Sequence, residues 1–316
     1  MASRFQLPVP GDYVLRRDGC SYGYFVLDPN FWDVQNQTLT RVLDLEEGPA
    51  RLTMAQERRG APLRVAADRG LSRRERDESR RLITRMLRLD EPTEVIREFH
   101  RVDPRWKKSG RGRLMRSPTF FEDVIKTVTS CNVTWPSTVT MNRRLCEVVG
   151  RGGAFPTARR LARTRPATLR ARCRVGYRDK RIVELAGMFA SGEVEPEWFE
   201  DPGKGDEELW KRLISLPGVG PYAAANIMQL LGRYHRLPLD TESVRHGKVV
   251  LGMEGSDAAI MRRMHEHFAP FGRHAFRSYW FELWMFYERL KGPSWTWERG
   301  TTGTSFTAAQ LRRAGP

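Results

Sequence analysis

Cysteine, lysine and long apolar runs are all scarce in this sequence. Its four cysteines, Cys20, Cys131, Cys146 and Cys173, include no C-x-x-C pair, and their spacing fits neither a zinc site nor a four-cysteine iron–sulfur cluster. No apolar run approaches the length of a transmembrane helix, and the opening "MASRFQLPVPG" contains no apolar signal core. These absences predict a soluble protein of a reducing, intracellular compartment, without a membrane partner.

Acidic residues are also too few to balance the basic ones. The 316 residues include 54 Lys and Arg against 38 Asp and Glu, a formal charge of +16. Such an excess favours polyanions, above all nucleic acid, because binding releases condensed counterions. Only 8 of the basic residues are lysine, however, and heavy use of arginine can also follow from genome base composition. The charge therefore permits a nucleic-acid partner without establishing one.

The pattern of apolar residues predicts an α+β fold that is mainly α. The segments "LTRVLDLE", "ARLTMAQE" and "LRVAAD" alternate in part with period two and are separated by turn signals, which predicts an N-terminal antiparallel sheet. From Ser72 the apolar spacing becomes helical, and Ser117-Pro118 offers an N-cap and first-turn proline for a later helix. We expect a sheet region ending in a helix at 1–100, a helical region at 101–298, and a flexible tail at 299–316.

The segment "LWKRLISLPGVGPYAAANIMQLLGRYHRLPLDTESVR" carries the strongest local signal. Two apolar helical faces flank Pro217-Gly218-Val219-Gly220, which is short enough to predict a sharp turn in a hairpin spanning 209–231. Pro221 suits the first turn of the second helix, so the free amides there could hold a phosphate. Asp240 follows in "LPLDTESV", where an aspartate is also a good N-cap for the next helix.

This segment resembles the helix-hairpin-helix and Gly/Pro–Asp motif of the DNA glycosylase superfamily, which includes endonuclease III and the adenine, 8-oxoguanine and alkyl-base glycosylases. Further matches are moderate: "SPTFFEDVIKTVTSCN" and "GYRDKRIVELA" are similar to the 8-oxoguanine branch, and "FGRHAFRSYWFELW" to the alkyl-base branch. The match in the sheet region is weak. The resemblance implies two helical subdomains with the hairpin at the cleft, and a base pocket between them.

The resemblance also assigns chemistry to individual residues. Asp240 would be the catalytic carboxylate, and Tyr222 stands at the hairpin position where bifunctional members carry the lysine that forms a Schiff base. A tyrosine there implies a monofunctional enzyme, and Tyr222 would line the base pocket or simply pack at the hairpin. No cofactor is required, the iron–sulfur cluster of some members is absent, and a monovalent cation, K⁺ or Na⁺, is expected at the hairpin backbone.

The remaining site predictions concern contacts with double-stranded DNA. Asn132 would fill the gap left by the flipped base, Trp135 would help to wedge or stack, and each could instead be an ordinary loop residue. The expected phosphate contacts of the hairpin are Leu216, Gly218, Val219 and Gly220. The expected contacts from basic side chains are Arg105, Lys107, Lys108, Arg111, Arg113 and Arg245, although Arg245 could brace the local structure.

Two further stretches leave their role open. "ARRLARTRPATLRARCRVGYRDKR" contains ten basic residues and one aspartate, and either follows phosphates or forms a solvated face. The aromatic run from Tyr279 to Tyr287 is more typical of a core than of a base-stacking platform.

The sequence as a whole predicts a monomeric glycosylase of the bacterial cytoplasm, associated with the nucleoid. It would remove an oxidised or alkylated base in base excision repair. A glycosylase that excises a bulky hypermodified base, such as a modified cytosine of phage DNA in antiviral defence, is the first alternative. A DNA-binding protein that keeps the hairpin without catalysis is the second.

Overall fold

A computed structural model describes residues 2–299, which form a five-stranded antiparallel sheet and a larger set of helices. The strands are β1 (Arg4–Leu7), β2 (Asn30–Asp33), β3 (Thr38–Leu45), β4 (Gly48–Ala55) and β5 (Leu63–Ala67), in the spatial order β1-β5-β4-β3-β2. Strand β5 shows how the sequence specifies the sheet: Leu63, Val65 and Ala67 are buried and alternate with exposed neighbours. The predicted strands are therefore confirmed, whereas the short edge strands β1 and β2 were not predicted.

The helices follow the sheet, apart from a short first one. They are α1 (Leu15–Gly19), α2 (Arg73–Leu87), α3 (Thr93–Val102), α4 (Phe120–Ser130), α5 (Trp135–Val148), α6 (Ala158–Ala162), α7 (Pro166–Thr168), α8 (Asp179–Ser191), α9 (Pro196–Glu200), α10 (Asp206–Ile214), α11 (Pro221–Leu230), α12 (Thr241–Val249), α13 (Asp257–Phe268) and α14 (Ala275–Lys291). The prediction of a mainly helical α+β fold is confirmed. Over the described residues, no helix is both long and apolar enough to cross a bilayer.

Capping side chains fix where the helices begin. Ser72 and Glu75 form a reciprocal capping box at the start of α2, as the change of pattern at Ser72 predicts. The prediction for α4 was wrong by two residues. Thr119 is the N-cap, and its side chain accepts a hydrogen bond from the amide of Glu122, whereas Ser117 lies in the loop before it. Serine and threonine are both good N-caps, so residue type alone does not distinguish Ser117 from Thr119. The three-residue spacing between Thr119 and the amide of Glu122 identifies Thr119 as the cap.

Two hydrophobic cores divide the molecule, and the chain passes from the first to the second and back. The first core combines the sheet and α2 with α12 to α14, from Leu7 to Met115 and again from Leu230 to Trp297. The second core runs from Phe120 to Met228 and includes α4, α5, α8, α10 and α11. The predicted boundary at residue 100 falls inside α3 and does not coincide with a division between cores. The predicted tail, 299–316, lies outside the described residues apart from Arg299, which pairs with Asp28.

Candidate functional site

The hairpin joins α10 to α11 through a turn that exposes its glycines. The amide of Val219 donates to the carbonyl of Leu216 at 3.1 Å, and these two side chains are buried in the second core. Gly218 has φ of +77° and Gly220 is the extended N-cap of α11. Both glycines are exposed, so the backbone at the start of α11 is open to a ligand. Leu216 and Val219 hold this turn in place from within, so any phosphate contact they make is through the backbone.

The two carboxylate oxygens of Asp240 have different surroundings. Its Oδ1 accepts hydrogen bonds from the amides of Glu242 and Ser243, both at 3.0 Å, and so caps α12. Its Oδ2 lies 3.3 Å from the hydroxyl of Tyr222, which donates to it. The capping and the catalytic interpretations therefore do not compete for the same atom. One oxygen orients the carboxylate, and the other contacts Tyr222, which lines the cavity described below together with Asp240.

Tyr222 occupies the first turn of α11 and contacts Asp240, which lies 18 positions later in the chain. Burial raises the pKa of its phenol well above the ordinary value, and the charge on Asp240 raises it further. The hydroxyl is therefore protonated at neutral pH and acts as a donor. It offers Asp240 a hydrogen bond, and it has no amine that could attack a sugar.

A buried hydroxyl network supports Asp240 through Ser243 and Tyr279. The Ser243 hydroxyl lies 3.2 Å from Oδ1 of Asp240 and 2.7 Å from the hydroxyl of Tyr279, and it also accepts from the amide of Asp240 at 3.1 Å. If Tyr279 donates to Ser243, and Ser243 to Asp240, every group is satisfied. Burial raises the pKa of Tyr279, as does the charge on Asp240, so this donor keeps its proton.

A cavity of about 370 Å³ opens beside Asp240 between the two cores. Nearly half of its 22 lining residues are aromatic: Tyr22, Tyr24, Phe25, Trp135, Tyr222, Phe276, Tyr279, Trp280, Trp284 and Tyr287. Sequence reasoning treated the run from Tyr279 to Tyr287 as core and missed Tyr22 altogether. The helical spacing of Phe276, Trp280, Trp284 and Tyr287 could have revealed one continuous aromatic face of α14.

The aromatic walls are held by specific contacts. The rings of Tyr22 and Trp280 lie 4.6 Å apart, and those of Trp280 and Trp284 are stacked at 5.2 Å. The indole of Trp280 donates to the carbonyl of Ser21 at 2.8 Å, and Tyr22 donates to the side chain of Asn226 at 3.1 Å. No lysine, arginine or histidine of the described chain lines this cavity. A flat, polarisable ligand therefore meets preformed stacking surfaces rather than cations.

The structure separates the two residues predicted to fill or wedge a DNA gap. Asn132 is exposed in the loop between α4 and α5, with φ of +53°, and it borders a groove that also contains Gly218, Gly220 and Asp240. Trp135 instead lies in the wall of the aromatic cavity, where its indole would contact a Cβ on Gly23 at 2.9 Å. This position fits the stacking role predicted for Trp135, and its role as a wedge stays a prediction.

Several predicted DNA contacts are wrong because their side chains are buried in ion pairs. Arg111 pairs with Glu288 at 2.5 Å, and Arg113, only 1% exposed, pairs with Asp12 at 2.5 Å. These acidic partners are 177 and 101 residues away in the sequence, so a local count of charges could not reveal them.

Three further basic side chains divide between ion pairs and solvent. Arg245 is buried and pairs with Glu242 at 2.5 Å, which corrects its assignment as a DNA contact. Arg105 is half exposed but bridges Asp103 and Glu282. Lys107 and Lys108 are exposed, and of the six predicted basic contacts they alone are exposed without an ion pair among the described residues.

Comparison with known proteins gives a structural match only. Neither a protein-family model nor a curated protein matches the chain. A structure of MBOgg1 in complex with a low-affinity DNA ligand has a TM-score of 0.68 at 17% identity, covering 92% of this chain and 97% of that one. The 8-oxoguanine glycosylase/lyase of Clostridium acetobutylicum has a TM-score of 0.63 at 18% identity, covering 91% and 98%.

The 3-methyladenine DNA glycosylase from Archaeoglobus fulgidus has a TM-score of 0.59 at 20% identity, covering 87% of this chain and 97% of that one. Identities this low establish similarity of fold. Each of the three similarities covers most of the chain. The chain therefore has the fold of the helix-hairpin-helix DNA glycosylases.

Proposed function

We propose that the protein is a monofunctional DNA glycosylase that flips a damaged base out of duplex DNA, hydrolyses its N-glycosidic bond and leaves an abasic site. One observation carries the proposal: Asp240 and Tyr222 both line an aromatic cavity, and Tyr222 donates to Oδ2 of Asp240 while Oδ1 is fixed by the helix that Asp240 caps. The cavity volume of about 370 Å³ is typical of small-molecule pockets. A base extruded from the stack would enter it and stack on its rings.

The chemistry follows from the charge on Asp240. Breaking the N-glycosidic bond leaves positive charge on the deoxyribose, and a fixed carboxylate beside the sugar stabilises that charge in the transition state. The same oxygen can orient the water that attacks the sugar carbon. The two amide hydrogen bonds to Oδ1 hold the carboxylate in place before the base arrives, so little reorganisation is needed during the reaction.

The absence of a lyase step rests on Tyr222. Strand cleavage through a Schiff base needs an amine at the sugar, and the phenol of Tyr222 cannot supply one. Lys248, the nearest lysine downstream of the hairpin, is exposed and pairs with Asp257 at 2.8 Å. Tyr222 would instead align the reactive oxygen of Asp240, since it donates a hydrogen bond to that atom.

The hairpin would anchor the DNA next to the flipped nucleotide. The glycine turn and the first amides of α11 suit a backbone phosphate, because both the free N–H groups and the helix dipole favour an anion. A K⁺ or Na⁺ ion at the hairpin backbone is also part of the proposal, because the resemblance of the hairpin sequence to the glycosylase motif implies it. Asn132, exposed beside the hairpin, would enter the space that the base leaves.

The test is base release from a panel of duplexes that carry alkylated, oxidised, deaminated or glucosylated bases, measured as alkali-labile sites. The wild-type protein should release one class of base. Asp240→Asn should not, although asparagine caps a helix about as well as aspartate. Asp257→Asn also removes one negative charge, but at an exposed position away from the cavity; it is the matched control and should stay active.

Each outcome on the panel has a separate meaning. Release of an oxidised or alkylated base supports a role in repair, and release of the glucosylated base supports antiviral defence. Tight DNA binding without release of any base, unchanged by Asp240→Asn, would identify a non-catalytic DNA-binding protein. Strand breaks without alkali would contradict the monofunctional assignment.

A further inference from the structure

The segment from Ala158 to Arg181 forms an unusually basic surface, which we call the arginine strip. It contains ten basic residues, and all except Arg178 are exposed. Its single acidic residue, Asp179, is buried and pairs with Arg170 at 2.9 Å. Among the described residues, the one other carboxylate near an exposed cation of the strip is Asp44, 3.9 Å from Arg160. The strip therefore presents positive charge with little internal compensation.

Arginine-rich composition alone does not explain this arrangement. Helix α2 is also rich in arginine, but Glu75, Asp77 and Glu78 lie among its basic residues. Its exposed cations are partly paired: Arg74 lies 3.0 Å from Glu46, and Arg80 lies 3.3 Å from Asp77. A general bias toward arginine produces such mixed surfaces. The depletion of acidic residues is what distinguishes the arginine strip, and it is typical of a surface that binds a polyanion.

One end of the strip is continuous with the hairpin. A Cβ on Gly218 would lie 2.9 Å from the Cδ of Arg181, so these residues are in contact. Arg178 donates to the carbonyls of Val128 and Cys131, next to the loop of Asn132. Its guanidinium lies 4.5 Å from the ring of Tyr177, which is 55% exposed. Any DNA held at the hairpin therefore meets this end of the strip.

The other end of the strip forms a groove with three guanidinium groups. Arg160, Arg163 and Arg172 line this groove together with Thr164 and Thr168. All three arginines are exposed, and each planar guanidinium can donate two parallel hydrogen bonds to two oxygens of one phosphate.

We propose that the arginine strip binds the backbone of the same DNA duplex, beyond the nucleotides held at the hairpin, with phosphates in the groove of Arg160, Arg163 and Arg172. Continuity with the hairpin favours DNA over another polyanion. Arg172 and Tyr177 are five positions apart in the chain, which limits the distance between their Cα atoms to at most about 18 Å. At ~3.4 Å per base step, the groove would meet the backbone no more than about five steps from Tyr177.

The experiment compares two triple variants that remove the same charge. The strip variant is Arg160→Gln, Arg163→Gln and Arg172→Gln, and the control variant is Arg73→Gln, Arg74→Gln and Arg81→Gln on the exposed face of α2. Dissociation constants are measured by fluorescence anisotropy over a series of salt concentrations. The probe is a duplex with a central tetrahydrofuran abasic analogue and flanks of about 12 base pairs, well beyond the expected contact.

We expect the strip variant to reduce the slope of log K against log salt by about two to three, because each lost phosphate contact removes ~0.9. The control variant should leave the slope unchanged. With flanks cut to about three base pairs, inside the expected contact, the strip variant should bind like the wild type. Equal slopes for the two variants, or an equal loss on the short and long duplexes, would overturn the proposal.

The expected position of this contact along the DNA rests on the proposed function, but the test does not depend on catalysis. If the wild-type protein releases no base from any duplex, the salt slopes of the strip variant and the α2 control variant can still be compared on unmodified duplex. If the strip variant keeps the wild-type rate of base release at saturating DNA but shows the expected reduction of the salt slope, the strip is a binding surface separate from the catalytic residues. Melting temperatures of both variants check that each is folded.

Discussion

Asp240 has two roles that substitutions should separate. Replacement by alanine removes the acceptor for the amides of Glu242 and Ser243 and also the partner of the Tyr222 hydroxyl. Loss of an N-cap costs about 0.5–2 kcal/mol, and the additional contacts place Asp240→Ala near the upper end. A protein of this size loses ~2 °C per kcal/mol, so we expect the melting temperature to fall by about 4 °C.

Asp240→Asn keeps an oxygen for the same amides and lacks the charge. Its free energy of unfolding should lie within about 1 kcal/mol of the wild-type value. The difference comes from the loss of a negative charge at the N-terminus of α12. Base release should nevertheless fall by a factor of ~10²–10³ or more, as when one electrostatic stabiliser is removed from an active site. Urea unfolding and single-turnover base release measure the two effects. Equal destabilisation by both substitutions, or an active asparagine variant, would refute this division of roles.

Three further substitutions test the surroundings of the site. Ser243→Ala removes the partner of the buried Tyr279 hydroxyl and should lower the free energy of unfolding by about 1–3 kcal/mol. Adding Tyr279→Phe should recover part of that loss, which a double-mutant cycle of urea unfolding measures. Simple additivity of the two substitutions would contradict the network. Hydrogen bonds from Arg69 lower the pKa of Glu75 from 4.5 to about 2. The contribution of Glu75 to stability is therefore complete above pH 4.5 and is lost as the pH falls toward 2, so Glu75→Gln should destabilise less at pH 3 than at pH 7, and an equal effect at both would be inconsistent. Arg113→Met leaves Asp12 with the Thr93 hydroxyl but without its cationic partner, and should cost about 3–5 kcal/mol while DNA affinity at 25 °C stays unchanged. A selective loss of affinity would restore Arg113 as a DNA contact.

The sequence predicted the parts of the molecule that depend on neighbouring residues. The hairpin and the capping aspartate are specified within about thirty residues by glycine, proline and helical spacing. The aromatic cavity was not predictable in the same way, because Tyr22 and Trp280 meet only through the packing of α14 against the first segment of the chain. Nor was the burial of Arg111, since its partner Glu288 comes from α14. Local patterns identify a charge but not the distant residue that neutralises it.

The two cores explain why the reactive atoms meet where they do. Helix α11, which carries Tyr222, packs in the second core, whereas α12, capped by Asp240, packs in the first. The hydrogen bond between these two residues therefore joins the cores at the mouth of the cavity. Arg88, at the end of α2, adds a second link between the two cores. Its guanidinium donates to the carbonyls of Gln229 and Leu230 at the end of α11. The distance from Asp240 to a bound sugar is thus set by how the two cores pack together, as well as by the residues that line the cavity.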